Sequence, residues 1–546
     1  MSNIILQMAI EAKFDGSTWT DITEDVLGEP SVQSGIFGNS DSDRVAGVGT
    51  LKFDLNNSVS NSAGLAGYYS PGHANCRTGF KAGLPVRMVY KMEGMADTPK
   101  WRGTVAPGGI QVDPGVYSSQ RVHVTCYDWM YQANIHRLKL MAYTTNKRGD
   151  EALALILANM PVQPASTLFD SGAYTFTSVF DTVRDFTTAM SEFQKICQSE
   201  RGYLYLRHNR VSDEQLVWEA YGHRDEITAM TAVATPLDEC GFLLDEDGLE
   251  VLNEDGTEIL IDDYVEMDIS EADSAMEIVH GANLATRVNY TVYPKETFAG
   301  TLCKTQSRIE LGAGETKSGI KLTYRDQDAG GTKVSAAAIT TLASGTDYIM
   351  TANQDGSGTD LTNDLSVSYT AGVEGIEFEI TNNGATKGYV YLQARGTGVR
   401  IYDKVTKSIS TPEGELAYGT IELTIDAPYQ EDPLAADVFS LTVLAGVMEP
   451  SSEIRKVTFF TSTNMLKSLF LGADLGNKVM LTDQMSGIGE SYFIQGMEWK
   501  DIGANDGPGT VVQFTWFLKR AAVDVLKFVE WDEEGTWDDA DYRWYW

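Results

Sequence analysis

The sequence predicts a mainly β protein with an α+β segment in its first half. Three observations lead there. Gly outnumbers Pro 51 to 15, and Thr, Val and Tyr recur between Gly-Asn-Asp clusters, which suits many short strands joined by turns. Apolar residues alternate with period two in both the opening and the closing stretches of the chain. Helical spacing is confined to the stretch that follows the opening strands. At 546 residues with 42% hydrophobic and 10% aromatic content, the chain can build several cores, and three or four domains are expected.

The elements follow in order. MAIEAKF, the Asp15-Gly16 turn and TWTDITEDV predict a hairpin. GTLKFDLNN sets Leu51, Phe53 and Leu55 against polar neighbours, the pattern of a half-buried strand. LPVRMVYKM, WRGTVA and QRVHVTCYD continue it, so the first ~128 residues read as a small barrel or sandwich. Thr145, Asn146 and Asp150 are candidate caps for the helix DEALALILANM, which stops at Pro161. A second helix is predicted from Phe180 to Ser199, because Phe186, Met190, Phe193 and Cys197 share one face. YLYLRHN and LVWEAYGHRDE then read as strands.

Residues 238–277 carry a period-eight repeat, Leu244-Asp-Glu-Asp-Gly248, then Leu252-Asn-Glu-Asp-Gly256, then Leu260. Each Glu-Asp-Gly fits a tight hairpin turn. A calcium site is the alternative, since Asp245, Asp247, Asn253 and Asp255 are oxygen donors, although the EF-hand pattern is not met. Residues 300–405 read as a separate all-β module, and the ~90 residues before the tail repeat the barrel-like pattern through LGNKVMLTD, SYFIQGMEWKDI and TVVQFTWFLKR.

The net charge is −35, and no Lys/Arg-rich run occurs. Phosphate neutralisation needs a basic footprint, so sequence-specific nucleic-acid binding is not expected, nor is attachment to an anionic membrane. The five cysteines (Cys76, Cys126, Cys197, Cys240, Cys303) are odd in number, widely spaced and without a CxxC pair, which argues against a disulfide framework or a zinc site. The opening MSNIILQMAIEAKFDGS lacks a basic n-region, and no apolar window approaches 18 residues, so neither a signal peptide nor a spanning helix is expected and synthesis in a reducing cytoplasm is.

Chemistry is thinly signalled. His73, His123, His136, His208, His223 and His280 are isolated, with no HExxH pattern. No nucleophile elbow, Walker A loop or strand-borne GxGxxG appears. With 77 acidic residues, candidate carboxylate pairs exist everywhere and so point nowhere. The expectation is a protein that is not an enzyme, with no catalytic residue, cofactor or metal. Tyr348, Tyr389 and Tyr391 are candidates for stacking on sugars, but Tyr389 and Tyr391 share one side of a strand, and a place in the module's core is favoured.

Taken in order, FDGSTWTDITEDV, GTLKFDLNN, YYSPG, FKAGLPVRM and WRGTV resemble the opening of the minor tail or hub proteins of long-tailed bacteriophages and prophages. SEFQKICQSERGYLYLRHNRVSDEQLVWEAYGHR resembles the same family's middle passage. LGNKVMLTDQMSGIGESYFIQGMEWKDI resembles its late barrel, and GIEFEITNNGATKGYVYLQARG an immunoglobulin-like insertion of some members.

That resemblance implies a structural baseplate hub at the virion's tail tip. Two small β-barrels would pack side by side, with an inserted immunoglobulin-like β-sandwich, so that a homotrimer presents six barrels below a six-fold tube. The implied division is 1–128 first barrel; 129–283 α+β hub domain with the acidic hairpin 238–277; 284–299 a strand linking to the second barrel; 300–405 inserted sandwich; 406–520 second barrel; and 521–546 an aromatic-acidic arm. Implied partners are the chain itself, a distal tail or tail-tube protein, the tape measure protein and tail fibre or tip proteins, with DNA passing through the lumen and no stable membrane insertion. The alternative is a receptor- or carbohydrate-binding tail protein acting through the inserted sandwich. Much of the −35 charge, the stretch 225–286 first, is expected to face the lumen, where like charge keeps DNA from sticking.

The arm carries the candidate docking residues Trp531, Trp537, Tyr542, Trp544, Tyr545 and Trp546, interleaved with Asp532, Glu533, Glu534, Asp538, Asp539 and Asp541. Disordered segments are poor in aromatics. Burying one such ring is worth up to roughly 4–6 kcal/mol, more than the about 1–2 kcal/mol of backbone entropy per ordered residue. Docking on the chain itself, a neighbouring subunit or another tip protein is therefore expected.

Overall fold

The structure is a computed structural model. It describes residues 5–38, 42–92, 97–113, 120–138, 141, 143–180, 187–208, 213–226, 264–267, 274–281, 283–326, 332–372, 375–483, 486–503 and 509–521. Strands predominate, in several sheets, with helices clustered in the α+β region and near the C-terminal strands.

The opening residues form β1 (Leu6–Ala12), β2 (Thr20–Asp21), β3 (Val26–Gly35), β4 (Thr50–Asn56), β5 (Pro85–Met92), β6 (Thr98–Val112) and β7 (Arg121–Tyr127). The predicted hairpin is present. Asp15 takes the Ser17 and Thr18 N–H groups at 2.8 Å, and Gly16 turns the chain with φ +80°. Its second strand is only two residues long, because Asp21 accepts from the Thr23 N–H (2.9 Å) and bends the chain into a 3-10 turn. Leu51, Phe53 and Leu55 are buried, as are Val122, Val124 and Cys126.

The α+β region holds α1 (Met130–Ile135), β8 (Thr144–Arg148), α2 (Gly149–Asn159), β9 (Thr167–Phe169), β10 (Thr175–Val179), α3 (Ala189–Glu200), β11 (Tyr203–Arg207), β12 (Gln215–Glu219) and α4 (His223–Glu226). Thr145 and Asn146 lie in β8 rather than capping α2, whose first turn is closed by Glu151 accepting from the Arg148 N–H at 3.0 Å. The second helix is shorter than predicted. Phe180 has φ +68° and lies outside it, residues 181–186 lie outside the described residues, and Thr188 caps the helix by accepting from the Ser191 N–H at 3.3 Å. Met190, Phe193 and Cys197 do share its buried face.

Next come β13 (Tyr264–Met267), β14 (Ser274–His280), β15 (Arg287–Val292), β16 (Lys295–Lys304), β17 (Ile309–Leu311), β18 (Thr316–Thr323), β19 (Arg325–Asp326), β20 (Thr332–Ile339), β21 (Tyr348–Thr351), β22 (Leu365–Ala371), β23 (Gly375–Asn382) and β24 (Gly388–Ile401). Two sheets, one built on β24 (β16, β17, β20 and β21, with β19 on β20) and one ordered β18-β23-β22, enclose a core of their own from Leu302, Tyr324, Met350, Phe378, Val390 and Leu392.

The chain finishes with β25 (Val405–Ser410), α5 (Pro412–Tyr418), β26 (Glu422–Ala427), α6 (Pro433–Val447), β27 (Ser452–Phe460), α7 (Asn464–Gly472), β28 (Lys478–Asp483), β29 (Ile488–Asp501) and β30 (Val512–Arg520). The helices were not anticipated, although each start is marked: Thr411-Pro412, Asp432-Pro433 and Thr463-Asn464 pair a capping side chain with the first helical residue. The linking strand β15 pairs with β25 and β26, and its apolar face (Val288, Tyr290, Val292) is covered by Phe439 and Val443 of α6. β14 joins β27.

The two barrel-like segments differ from expectation in one respect: no sheet closes among the described residues. They are halves of a single thirteen-stranded sheet, ordered β14-β27-β30-β29-β3-β4-β7-β6-β5-β1-β2, with β28 on β29 and β13 on β28. At its other side, the Thr510 N–H bonds the Leu6 carbonyl at 2.7 Å and ties β1 to the start of β30.

Candidate functional site

The strongest candidate is the seam where the two halves meet. β29 lies antiparallel to β3 with Gly496 opposite Gly35. Gly35 has φ +112°, and a Cβ there would run into the Gln495 carbonyl and sit 2.7 Å from the Gly496 Cα. Only glycine admits that approach. The Ile36 N–H bonds the Gln495 carbonyl at 2.7 Å across the seam. Behind it, Tyr90 of β5 meets Phe470 of α7 edge-on at 4.8 Å, and Phe470 packs on Trp499 and Phe514. The buried Lys100 ammonium donates to the Ala473 carbonyl at 2.7 Å. Residues some four hundred positions apart thus share one core.

The α+β unit is fastened to both halves. Leu204 of β11 donates to the Arg44 carbonyl and accepts from Ala46, beside the N-terminal half. Toward the C-terminal half, Arg207 donates to the Leu475 carbonyl at 2.8 Å. Arg224 pairs with buried Glu219 at 2.6 Å and lies between the rings of Tyr203 (3.7 Å) and Phe493 (4.7 Å). The Tyr205 hydroxyl also donates to Glu219. Arg87 bridges Glu11 (2.7 Å) and Asp213 (3.1 Å), joining β5 to the start of β12.

Ionisable groups are buried at these joints. Burial, with Glu214 nearby, raises the Asp128 carboxyl to about 8. Burial raises Glu200 to about 7, although the Ala173 N–H donates to it at 2.6 Å. Burial lowers His208 to about 4, with Asp474, Lys100, Arg102 and Asp213 around it. The two carboxyls stabilise the fold fully below their unfolded values near 4, and that contribution is lost as pH rises through 7 and 8. His208 works oppositely, its contribution being lost as pH falls from 6.5 toward 4. Above pH 6.5 His208 no longer acts, while the carboxyls act at roughly 1.4 kcal/mol per pH unit at most, and His223, held above its ordinary value by its bond to Asp170, acts in the same direction. The melting temperature is therefore expected to fall between pH 6.5 and 8.5, and the fall should be shallower in Asp128→Asn. A melting temperature that rises over this interval would contradict the assignment.

The predicted docking residues Trp531, Trp537, Tyr542, Trp544, Tyr545 and Trp546 lie outside the described residues, as does the hairpin 238–277 apart from 264–267 and 274–277. The tyrosines correct the sequence reading. Gly388, Val390, Leu392 and Ala394 of β24 face the sandwich core, so Tyr389 and Tyr391 lie half-buried on its other face. There Lys387 sits 5.3 Å from the Tyr389 ring and Arg308 5.8 Å from that of Tyr391. Tyr348 packs partly against the core. Cys76, Cys126, Cys197 and Cys303 are free thiols. Among the described residues no group of three His, Cys, Asp or Glu side chains could hold a metal. No helix there is long and apolar enough to cross a membrane. A shallow hollow of about 580 Å³ between the C-terminal ends of α1 and α2 is lined by Ile135, His136, Arg137, Met160 and Val162.

No family model matches the chain, and no curated protein sequence does. Solved structures do. The chain is similar to the 43 kDa tail protein of prophage MuSo2 from Shewanella oneidensis, at 7% identity and TM-score 0.44, covering 94% of this chain and 98% of that one. It is similar to a tail protein from Neisseria meningitidis MC58, at 9% identity and TM-score 0.42, covering 94% and 96%. The half-lidded PdpA–VgrG complex of Francisella matches at 9% identity and TM-score 0.39, over 95% of this chain and 58% of that one. These three are thus a prophage tail protein, a second tail protein and a VgrG-containing complex.

Proposed function

We propose that the chain is a structural component of a bacteriophage tail tip, a baseplate hub or minor tail protein that adapts a six-fold tube to a three-fold tip. The observation that carries the reading is the seam. Two β halves from opposite ends of the sequence are paired in one sheet at Gly35 and Gly496, and in this reading each subunit offers two β surfaces side by side. Three subunits in a closed ring then present six. The order of the tail-protein-like sequence blocks supports the same reading.

In this proposal the partners are two further copies, a distal tail or tail-tube protein, the tape measure protein and fibre or tip proteins, and the acidic stretch 225–286 faces the DNA channel. The aromatic arm docks on a neighbour, and no step is catalytic. Light scattering of the purified chain tests the stoichiometry: a mass of about 180 kDa, three times the 59.9 kDa chain, is expected. A single-chain mass across the micromolar range would overturn it.

One observation favours a second reading, a carbohydrate- or receptor-binding role for the inserted sandwich. Tyr389 and Tyr391 turn their rings away from the core, beside Lys387 and Arg308. Glycan-array binding that is lost in the Tyr389→Ala/Tyr391→Ala variant would support it. An array without signal would dismiss it.

A further inference from the structure

The two edges of the β18-β23-β22 sheet are built differently. β18 carries Lys317 and Lys321, a register shift between Lys317 and Ile320, and Gly319 at φ +76°. Lysines and a bulge are devices that keep a foreign strand off an open edge. β22 has neither. Its sequence, LSVSYTA, holds no charge and no proline, and it runs against β23 from Leu365 opposite Asn382 to Ala371 opposite Ile376 without a shift.

The hydrogen bonds at either end of that ladder fix which backbone groups are left over. The Asn383 N–H bonds the Asp364 carbonyl at 2.7 Å, and the Gly372 N–H bonds the Gly375 carbonyl at 2.8 Å. Alternation in an antiparallel pair then turns the backbone of Ser366, Ser368 and Thr370 toward β23. The N–H and C=O groups of Val367, Tyr369 and Ala371 point outward, and among the described residues no strand pairs with them. The edge lies in the open: Ser366, Ser368, Thr370 and Ala371 are exposed, and Tyr369 is 40% exposed.

Both faces specify what fits there. On the core side Leu365 and Val367 belong to the sandwich interior, and the Tyr369 ring lies 6.4 Å from that of Phe378. An added strand needs apolar side chains on that side. On the solvent side Glu379 and Glu377 stand opposite Ser368 and Thr370. Glu377 has Lys321 at 3.6 Å, whereas exposed Glu379 has no ion pair among the described residues. An added strand lies two strand spacings from Glu379, about 9–10 Å, which a lysine or arginine laid across Ser368 can span. β22 of a second copy brings no cation to that face, and each chain carries a net charge of −35.

We propose that β22 receives an extended strand of another protein, one in which apolar and basic side chains alternate. Main-chain bonds to Val367, Tyr369 and Ala371 hold it, and the alternation selects it. The inference does not depend on the hub reading, since it follows from the sheet edge alone.

The test adds to the full chain a peptide as long as β22 in which valine and lysine alternate, and reads amide hydrogen exchange. Exchange is expected to slow in residues 365–371 and nowhere else in the sandwich. Tyr369→Pro removes an outward N–H and leaves the ladder to β23 intact, so peptide binding should weaken at least about tenfold. Should proline loosen the sandwich, Ser368→Lys/Thr370→Lys decides, because both side chains are exposed and would repel the lysines of the peptide. That variant should melt unchanged and bind the peptide more weakly. Equal protection by a valine–glutamate peptide, protection by the lysine peptide only in other segments, or slow exchange that appears without peptide as the chain is concentrated would each overturn the proposal.

Discussion

Gly35→Val is expected to separate the two β halves. The new side chain meets the Gln495 carbonyl and the Gly496 Cα, and neither can retreat, because β29 is held by β30 on its far edge. Overpacking costs about 1–3 kcal/mol, and forcing a β-branched residue to φ +112° adds about 1–3 kcal/mol. A loss of roughly 2–6 kcal/mol, or insoluble protein, should follow. Gly16→Ala is the matching control, since Gly16 also has positive φ but nothing stands within 4 Å of its added Cβ. Thermal melting of both variants decides it: equal, small losses would mean that the seam is not a constraint.

Glu219→Ala should cost about as much by a different route. Glu219 is almost fully buried, as is most of Arg224, and removing the carboxylate leaves a guanidinium in the interior without its counter-ion. Breaking such a pair typically costs about 3–5 kcal/mol, most of it the desolvated charge left behind. The Tyr205 hydroxyl loses its acceptor too. Hydrogen exchange should quicken first in β11 and β12, which this pair joins to β29 through Phe493, while the inserted sandwich with its separate core stays protected. A variant with unchanged melting and exchange would show that stacking on Tyr203 and Phe493 alone holds the unit.

How far the fold was legible depended on how local each cause was. Alternation placed β4, β7 and β30 correctly, because a half-buried strand writes its two faces into the sequence. The Asp15-Gly16 turn was readable for the same reason. α6 was missed because an all-round apolar helix has no periodicity, although Asp432-Pro433 announced its start. Phe180 was taken into a helix because nothing in the sequence marks a positive φ at a phenylalanine. The seam was legible only in outline. A glycine inside the strand SYFIQGMEWKDI hinted at a close backbone approach, but not that Gly35, more than four hundred residues away, would be the other side. Tyr389 and Tyr391 show the limit of alternation: it says that two residues share a face, not which face is the core.

In the proposed assembly three chains present six similar β surfaces in one ring. Two-dimensional class averages of the purified full chain, viewed down the symmetry axis, test this most directly. A three-fold particle with a central opening and six lobes of similar size, two from each subunit, is expected. Single-chain particles, or a ring of six chains with one lobe each, would contradict it.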